Sequence, residues 1–393
     1  MPTANVHWLV LIAVLIGHFG IHLAIYNRVN AIGWSRRTTK RISKFFFLTM
    51  LTLPVVIGGL YFSELLAWLS EGSSHWSRLF SLPVFPMAYF IVCLASWMLL
   101  GVPWLLWRPI LGLEWVRASR TIQSISVDQA VATPLALSRK CKLESQLPFN
   151  QLFDLSVEEI KLPVVGLPAQ LDGYRIAHLS DIHLTGDVHL NYAKFTVETA
   201  TRWKPELMVL SGDIIDSQKC IQWLTEIYSG ADAIDGCYYV LGNHDVRITD
   251  SRQTRRAMDH AGWTDLGCLQ TVVHLRGVPV RLIGNEYPWF DRPELPVKTD
   301  EEFRMLLSHS PDQIWWARKH GIQLMFAGHT HGGQGRLPLF GPLLSPSYHG
   351  SRFASGDFYK PPTTMHVSRG LGGTHLVRIN CRPELSLITL CVG

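Results

Sequence analysis

Apolar residues fill three long stretches near the start of the chain, at about 6–26, 45–69 and 84–107, with almost no charge inside them. At about 1.5 Å of rise per residue, each is long enough as a helix to cross a hydrocarbon core of about 30 Å. They are read as three membrane spans, with Pro54 and Pro103 tolerable inside such helices and Glu64 the one acidic residue. Trp8, Trp34, Trp68, Trp76, Trp104 and Trp107 fall near the expected ends, where indole rings sit at headgroup level. From about residue 171 the pattern changes. Short apolar runs of strand character, at 174–179, 207–210, 237–241, 304–307 and 322–326, alternate with helical patterns at 191–202, 218–228, 252–261 and 312–319. Strand, loop, helix, strand predicts an α/β layered fold. The mixed stretch 111–170, broken by Pro134, Pro148, Pro163 and Pro168, is read as a connector plus a first strand. The expected organisation is therefore a membrane region over 1–110, a connector and first strand over 111–170, and a globular domain over 171–393.

Composition agrees with a divided chain. At 393 residues it exceeds the usual size of one core, and 47% hydrophobic against 17% charged residues is too apolar for a purely water-soluble protein. The net charge of +5 points away from nucleic acid as a partner, because much of it lies in Arg28, Arg36, Arg37, Lys40, Arg41 and Lys44, between the first two spans. The next loop carries only Glu71 and Arg78. By the positive-inside rule the first loop is cytoplasmic, which places the N-terminus outside and everything after the third span in the cytoplasm, in a multi-pass inner-membrane protein. Arg108, Arg117 and Arg120 against Glu114 agree. Ser35-Arg36-Arg37 before an apolar run also has the form of a twin-arginine export signal, but it sits behind an existing span and orientation already explains its charge. Met1 to His7 carries no Lys or Arg, which argues against a cleaved signal peptide.

Seven cysteines without a C-x-x-C pair give no disulfide framework or zinc knuckle, so buried thiols in a reducing compartment are expected. His18 and His22, four apart on a helix, are read as interhelical hydrogen-bonding groups and not as ligands, with Gly17 and Gly20 beside them allowing close packing.

The chemistry lies in five clusters that each end a strand-like run. They are Ser180-Asp181-Ile182-His183, Gly212-Asp213-Ile214-Ile215-Asp216, Gly242-Asn243-His244-Asp245, Ser308-His309-Ser310-Pro311-Asp312 and Gly328-His329-Thr330-His331-Gly332-Gly333. In open α/β sheets ligands gather beyond the carboxyl ends of the strands, where all five would be delivered. Carboxylate, imidazole and amide donors without thiolate suit Mn²⁺, Fe²⁺ or Zn²⁺ in a catalytic site. Two such cations about 3.5–4 Å apart need a bridging carboxylate and can activate water for in-line displacement at phosphorus.

The ordered set D-x-H, G-D-x-x-D, G-N-H-D, a lone His and G-H-x-H resembles the calcineurin-like metallophosphoesterases over roughly 171–392. With Ser308-His309-Ser310 and Arg369-Gly370-Leu371-Gly372 it looks most similar to the bacterial phosphodiesterases of the YaeI and YkuE type. The resemblance implies a four-layer αββα sandwich behind the three membrane helices, and hydrolysis of a phosphoester by a hydroxide bridging two divalent metal ions. It implies that Asp181, His183 and His331 hold one metal, that Asn243, His309 and His329 hold the other, and that Asp213 bridges. His244 would then act on the substrate, with Asp216 orienting it. Asp245 is expected to serve its own loop, and His178, His189, His260 and His320 to be packing or surface residues. Ser217 stands where some members of the family carry an Arg, and Arg336, Arg352 and Lys360 are candidates for that cation, each with a solvated surface charge as the plainer reading.

The expected substrate is a phosphodiester, with a membrane lipid favoured. Residues 337–362 mix Leu, Phe, Tyr and Pro with cations, as a stretch touching acyl chains and anionic headgroups would, though a proline-rich surface loop has the same composition. A monoester, or the pyrophosphate of a lipid-linked sugar nucleotide, is the alternative. A non-catalytic scaffold on the same fold is disfavoured because none of the seven ligands is missing.

Overall fold

A computed structural model describes residues 4–70, 83–106, 114, 116–299 and 302–393. The chain divides into two compact units, Met1–Leu113 and Glu114–Gly393.

In the first unit, segments Val6–Val29, Arg36–Leu60 and Val84–Leu105 are helical and long and apolar enough to cross a membrane. The second differs from the expected 45–69. It starts at Arg36, because the Ser35 hydroxyl accepts the Thr38 N–H and caps a turn made of the cations themselves. It ends at Leu60, after Gly58-Gly59, where Tyr61 leaves the helical region, and Phe62–Ser70 forms a separate helix. The third contains a wide π turn at Trp97–Gly101, just ahead of Pro103, whose missing N–H would leave the Leu99 carbonyl without its usual partner. Trp76, Trp107 and Arg108 lie outside the described residues.

His18 and His22 are buried and fully occupied. His18 Nε2 donates to the Met50 carbonyl at 2.9 Å and Nδ1 pairs with the Tyr89 hydroxyl, so one ring ties three helices. His22 donates from Nδ1 to the His18 carbonyl at 2.8 Å and meets Thr49 Oγ1 at 3.1 Å through Nε2. A side chain at Gly17 would collide with the Cys93 carbonyl, whereas Gly20 has open space around it. Close packing thus depends on the first glycine and not the second.

The second unit is built from two mixed sheets. One orders its strands Ser119–Ser126, Asp154–Val164, Glu384–Val392, Arg175–Leu179, Leu207–Ser211, Cys237–Val240 and Thr264–Asp265. The other orders them Gly356–Lys360, Thr363–Val367, Leu324–Ala327, Phe303–Ser308, Val278–Asn285 and Gln270–Leu275. Successive side chains of a strand point to opposite faces, and here both faces are covered. Leu207 and Val209 enter the core between the sheets with Phe303, Met305, Leu307 and Phe326. Met208 and Leu210 enter a second core with Val197, Leu224 and Met258, from helices Leu190–Arg202, Ile221–Tyr228 and Ser251–His260. Leu306 and Met325 face away from the first sheet, toward Ile314 and Ala317 of helix Ile314–Lys319. The result is the expected four layers, and burial on both faces explains why these runs are apolar throughout instead of alternating.

The stretch 114–170 supplies two strands, not one. Asp154–Val164 runs parallel to the last strand, with Leu155 and Val157 in the helix-side core and Ile160, Leu162 and Val164 between the sheets. It is part of the fold and not a tether. Residues 337–362 also differ from a plain loop, since Gly356–Lys360 is an edge strand and Phe353 and Phe358 are buried. All seven cysteines are free thiols, five of them buried.

Candidate metal centre

Strands Arg175–Leu179, Leu207–Ser211 and Cys237–Val240 are parallel neighbours, as are Phe303–Ser308 and Leu324–Ala327. Each therefore delivers its trailing loop to one edge of the sandwich, and the loops are joined there. Asp181 N–H donates to the Gly212 carbonyl at 3.0 Å, His183 N–H to the Asp213 carbonyl at 2.9 Å, and Gly328 N–H to the His309 carbonyl at 2.9 Å. Asp181, His183, Asp213, His329 and His331 all take left-handed backbone angles, with φ between 50° and 68°. Such angles are uncommon outside glycine and are costly unless the surroundings hold them. The surroundings leave no slack: a side chain at Gly242 would strike Asp213, and one at Gly328 would strike Ser180 and Asp181.

The side chains converge in two groups that share one residue. Asp181, His183, Asp213 and His331 bring their donor atoms within 4.8 Å of one another, and so do Asp213, His309 and His329. His183 Nε2 lies 3.2 Å from His331 Nε2 and 3.5 Å from Asp213 Oδ2. On the other side His309 Nε2 lies 3.3 Å from Asp213 Oδ2, 3.0 Å from Asn243 Oδ1 and 3.1 Å from His329 Nδ1. All seven sequence-expected ligands are thus brought together. Asp213 Oδ2, buried between the two groups, has no aligned hydrogen-bond donor among the described residues.

Neighbours fix which nitrogens face inward. His183 Nδ1 meets Asp216 Oδ2 at 2.7 Å, and His309 Nδ1 meets the Ser211 carbonyl at 2.8 Å. Neither oxygen can donate, so both Nδ1 atoms carry a proton, and it is the Nε2 lone pairs that become available to the centre once any second proton is lost. Crowding lone pairs and carboxylates in a buried site is unfavourable unless cations or protons stand between them. The donor set and the orphaned Asp213 oxygen fit divalent cations.

Electrostatics follow. Burial pushes the Asp213 carboxyl up, but His309, His244 and His183 around it outweigh burial and hold it well below the usual range. Burial opposes a charge on His309, yet Asp213 raises that imidazole to about 9. His329 and His331 are held well below the ordinary histidine value, by burial first and then by His309 and His183 respectively. In the absence of metal, protons therefore remain on part of the cluster.

His244 sits beside this centre. Its Nδ1 pairs with Asp216 Oδ1, its Nε2 lies 3.9 Å from Asp213 Oδ2, and burial lowers it to about 4. Asp245 is buried and accepts the N–H groups of Ile214, Ile215 and Gly242, the loop role expected of it. His178 lies between the sheets and bonds Ser211 Oγ at 2.8 Å, His189 caps a helix, and His260 and His320 bond carbonyls of their own helices. Arg352 and Lys360 both pair with Glu114, so they are engaged elsewhere.

Two residues at the site carried no sequence signal of their own. Arg247, in the turn after His244, donates to Asp216 Oδ1 at 2.8 Å. Trp289 lays its ring 4.9 Å from that of His329 and 5.4 Å from that of His309, forming a wall over that half of the centre. Arg247 was findable only by its spacing from the G-N-H-D motif, and Trp289 not at all.

Residues 174–333 match the calcineurin-like phosphoesterase family. The metallophosphoesterase YkuE of Bacillus subtilis is 30% identical over 233 residues, covering 57% of this chain and 81% of that protein. The phosphodiesterase YaeI of Escherichia coli is 28% identical, covering 55% of this chain and 82% of that protein. The UDP-2,3-diacylglucosamine pyrophosphatase LpxG of Chlamydia muridarum is 25% identical, covering 56% and 84% respectively. With the family's motif residues gathered at one edge of a four-layer α/β sandwich, this chain belongs to the calcineurin-like metallophosphoesterases, hydrolases of phosphoric esters.

Proposed function

We propose that this protein is a membrane-anchored phosphodiesterase that works with two divalent cations, Mn²⁺, Fe²⁺ or Zn²⁺, and takes a membrane-borne phosphodiester as substrate. The observation that carries the reading is Asp213 Oδ2, buried without an aligned donor and 3.5 and 3.3 Å from the inward nitrogens of His183 and His309. One carboxylate between two nitrogen-rich groups is what a bridged pair needs. Asp181, His183 and His331 would hold one cation, Asn243, His309 and His329 the other, and Asp213 both. When bound, the pair supplies positive charge for the phosphoryl oxygens and a water acidic enough to act as a nucleophile.

The chain's own groups do the rest. Asp216 fixes the His183 tautomer through one oxygen and holds His244 through the other. With Nδ1 so engaged, His244 presents Nε2 to a bound substrate. A phosphodiester anion there favours the imidazolium, and the proton it carries can pass to the departing alkoxide. Three apolar helices anchor the enzyme in the inner membrane, and the cations at the start of the second favour a cytoplasmic active site. A pyrophosphate bond in a lipid-linked sugar nucleotide is the second reading, favoured by the likeness to LpxG.

The test is metal analysis of the purified full-length protein, with rates on diester, monoester and pyrophosphate substrates. Two metals per chain and preference for a diester are expected, with both lost in Asp213→Asn. Full activity and two metals in that variant would remove the bridge, and a faster monoester would remove the diester assignment.

A further inference from the structure

Two turns of the C-terminal unit expose large apolar side chains in a conformation that costs free energy. Phe149 is 85% exposed with φ 64°, and Leu339 is 93% exposed with φ 66°. Neither burial nor backbone preference accounts for an apolar residue at either position. The turns share a support. Asn150 bonds the Leu376 carbonyl and the Arg378 N–H, while Arg336 and Asn380 bond across to each other's segment on the far side of the same loop. Leu143 and Leu147 are exposed on the first turn's side, and Leu337 and Phe340 on the second's. The short helix Arg139–Ser145 adds exposed Arg139, Lys140 and Lys142 against one acid, Glu144.

This surface adjoins the metal centre. A side chain at Gly333, two residues after His331, would strike Pro342 and Leu344, so the hairpin bearing Leu339 packs directly onto the ligand loop. Under the same support loop lies an apolar cavity lined by Leu152, Phe153, Tyr192 and Leu376 that extends to His183.

From this geometry we infer that the face carrying Phe149 and Leu339 docks onto an anionic lipid bilayer, with the two side chains entering the acyl region and the basic helix meeting headgroups. Exposed aromatic and aliphatic tips ringed by Lys and Arg are the chemistry of interfacial insertion. The bilayer is within reach, since only residues 106–113 separate the last apolar helix from this unit, at no more than about 3.5 Å per residue. The inference rests on the membrane reading of the helices and not on the identity of the substrate.

The experiment uses the full chain reconstituted in vesicles of phosphatidylcholine and phosphatidylglycerol. Spin labels are placed at Phe149→Cys, Leu339→Cys and, as a control, Ile234→Cys, which is 82% exposed before the strand Cys237–Val240 at the opposite edge of the sheet. Labels at 149 and 339 are expected to collide with oxygen and be shielded from a water-soluble nickel chelate, with the reverse at 234 and weaker shielding in phosphatidylcholine alone. Equal access of the chelate to all three would overturn the proposal. As a second arm, Phe149→Glu and Leu339→Glu should lower turnover of a fluorescent phosphodiester lipid in the same vesicles by about tenfold while leaving a soluble diester unaffected. Equal losses on both substrates would mean that the turns only support the site. If neither substrate is hydrolysed by the parent enzyme, the substrate reading fails, and label depth still decides the docking.

Discussion

His183 and His244 are joined through a single carboxylate: Asp216 takes His183 on one oxygen and His244, together with Arg247, on the other. A residue assigned from sequence to orient one imidazole therefore holds two, one in the four-residue Asp/His cluster and one beside it. Burial pushes the Asp216 carboxyl up, but the two imidazoles outweigh it and hold the group strongly ionised.

Asp216→Asn should consequently damage both functions at once. Loss of a partner behind a metal-binding imidazole typically weakens the metal about 10- to 100-fold, and His244 loses its support in the same change. Metal titration of the purified variant, alongside its turnover, checks this; unchanged metal affinity would show that His183 is oriented by something else.

His244→Ala should separate the two functions. Its metal content is expected to match the parent enzyme, while turnover falls about 10²- to 10⁴-fold on substrates whose leaving group needs a proton. Esters of p-nitrophenol, which leave unprotonated, should lose least. Metal depletion in this variant would instead make His244 a ligand.

Metal uptake should release protons. His309 is raised to about 9 because Asp213 faces it, so in the metal-free protein it is charged at neutral pH and must lose its proton to bind. Affinity should rise with pH up to about 9, and proton release on adding Mn²⁺ can be read in weakly buffered solution. The sign for stability is opposite. A raised folded pKa stabilises the metal-free protein fully below the unfolded value of about 6.5, and that contribution is lost as pH climbs toward 9. Thermal melts of the metal-free form should therefore weaken across that window, and those of the loaded form should not.

Asp245→Ala should act on the fold and not on chemistry. Its carboxylate accepts the buried N–H groups of Ile214, Ile215 and Gly242, and each orphaned donor costs about 1–3 kcal/mol. A fall in melting temperature large for a single substitution is expected, and a variant as stable as the parent would show that water or a rearranged loop replaces the carboxylate.

Much of this molecule was legible in the chain alone. Continuous apolar runs announced the three helices long and apolar enough to cross a membrane and the strands buried on both faces, and the motif spacing picked out all seven residues whose side chains converge. Local sequence suffices there because strand period, loop chemistry and donor type are properties of a few neighbouring residues. The flanking strands were harder to see. Ser119–Ser126 is largely exposed, Glu384–Val392 ends the chain without a loop motif, and Asp154–Val164 reads as a mixed segment until its neighbours in the sheet cover it.

What only the tertiary structure decided are the relations between distant positions. The dual grip of Asp216 and the wall formed by Trp289 depend on loops that become neighbours only when parallel strands align. The pairing of Arg352 and Lys360 with Glu114 depends likewise on segments brought together by the fold. Which cations face the site cannot be read from composition, because a charge is spent by whichever partner the fold brings nearest. The left-handed angles of Asp181, His183, Asp213, His329 and His331 likewise cannot be inferred residue by residue, since Asp and His enter that region more readily than most residues but still only as a minority. They persist because adjoining loops bond to one another and to glycines that leave just enough room, and that constraint exists only once the sheets have closed.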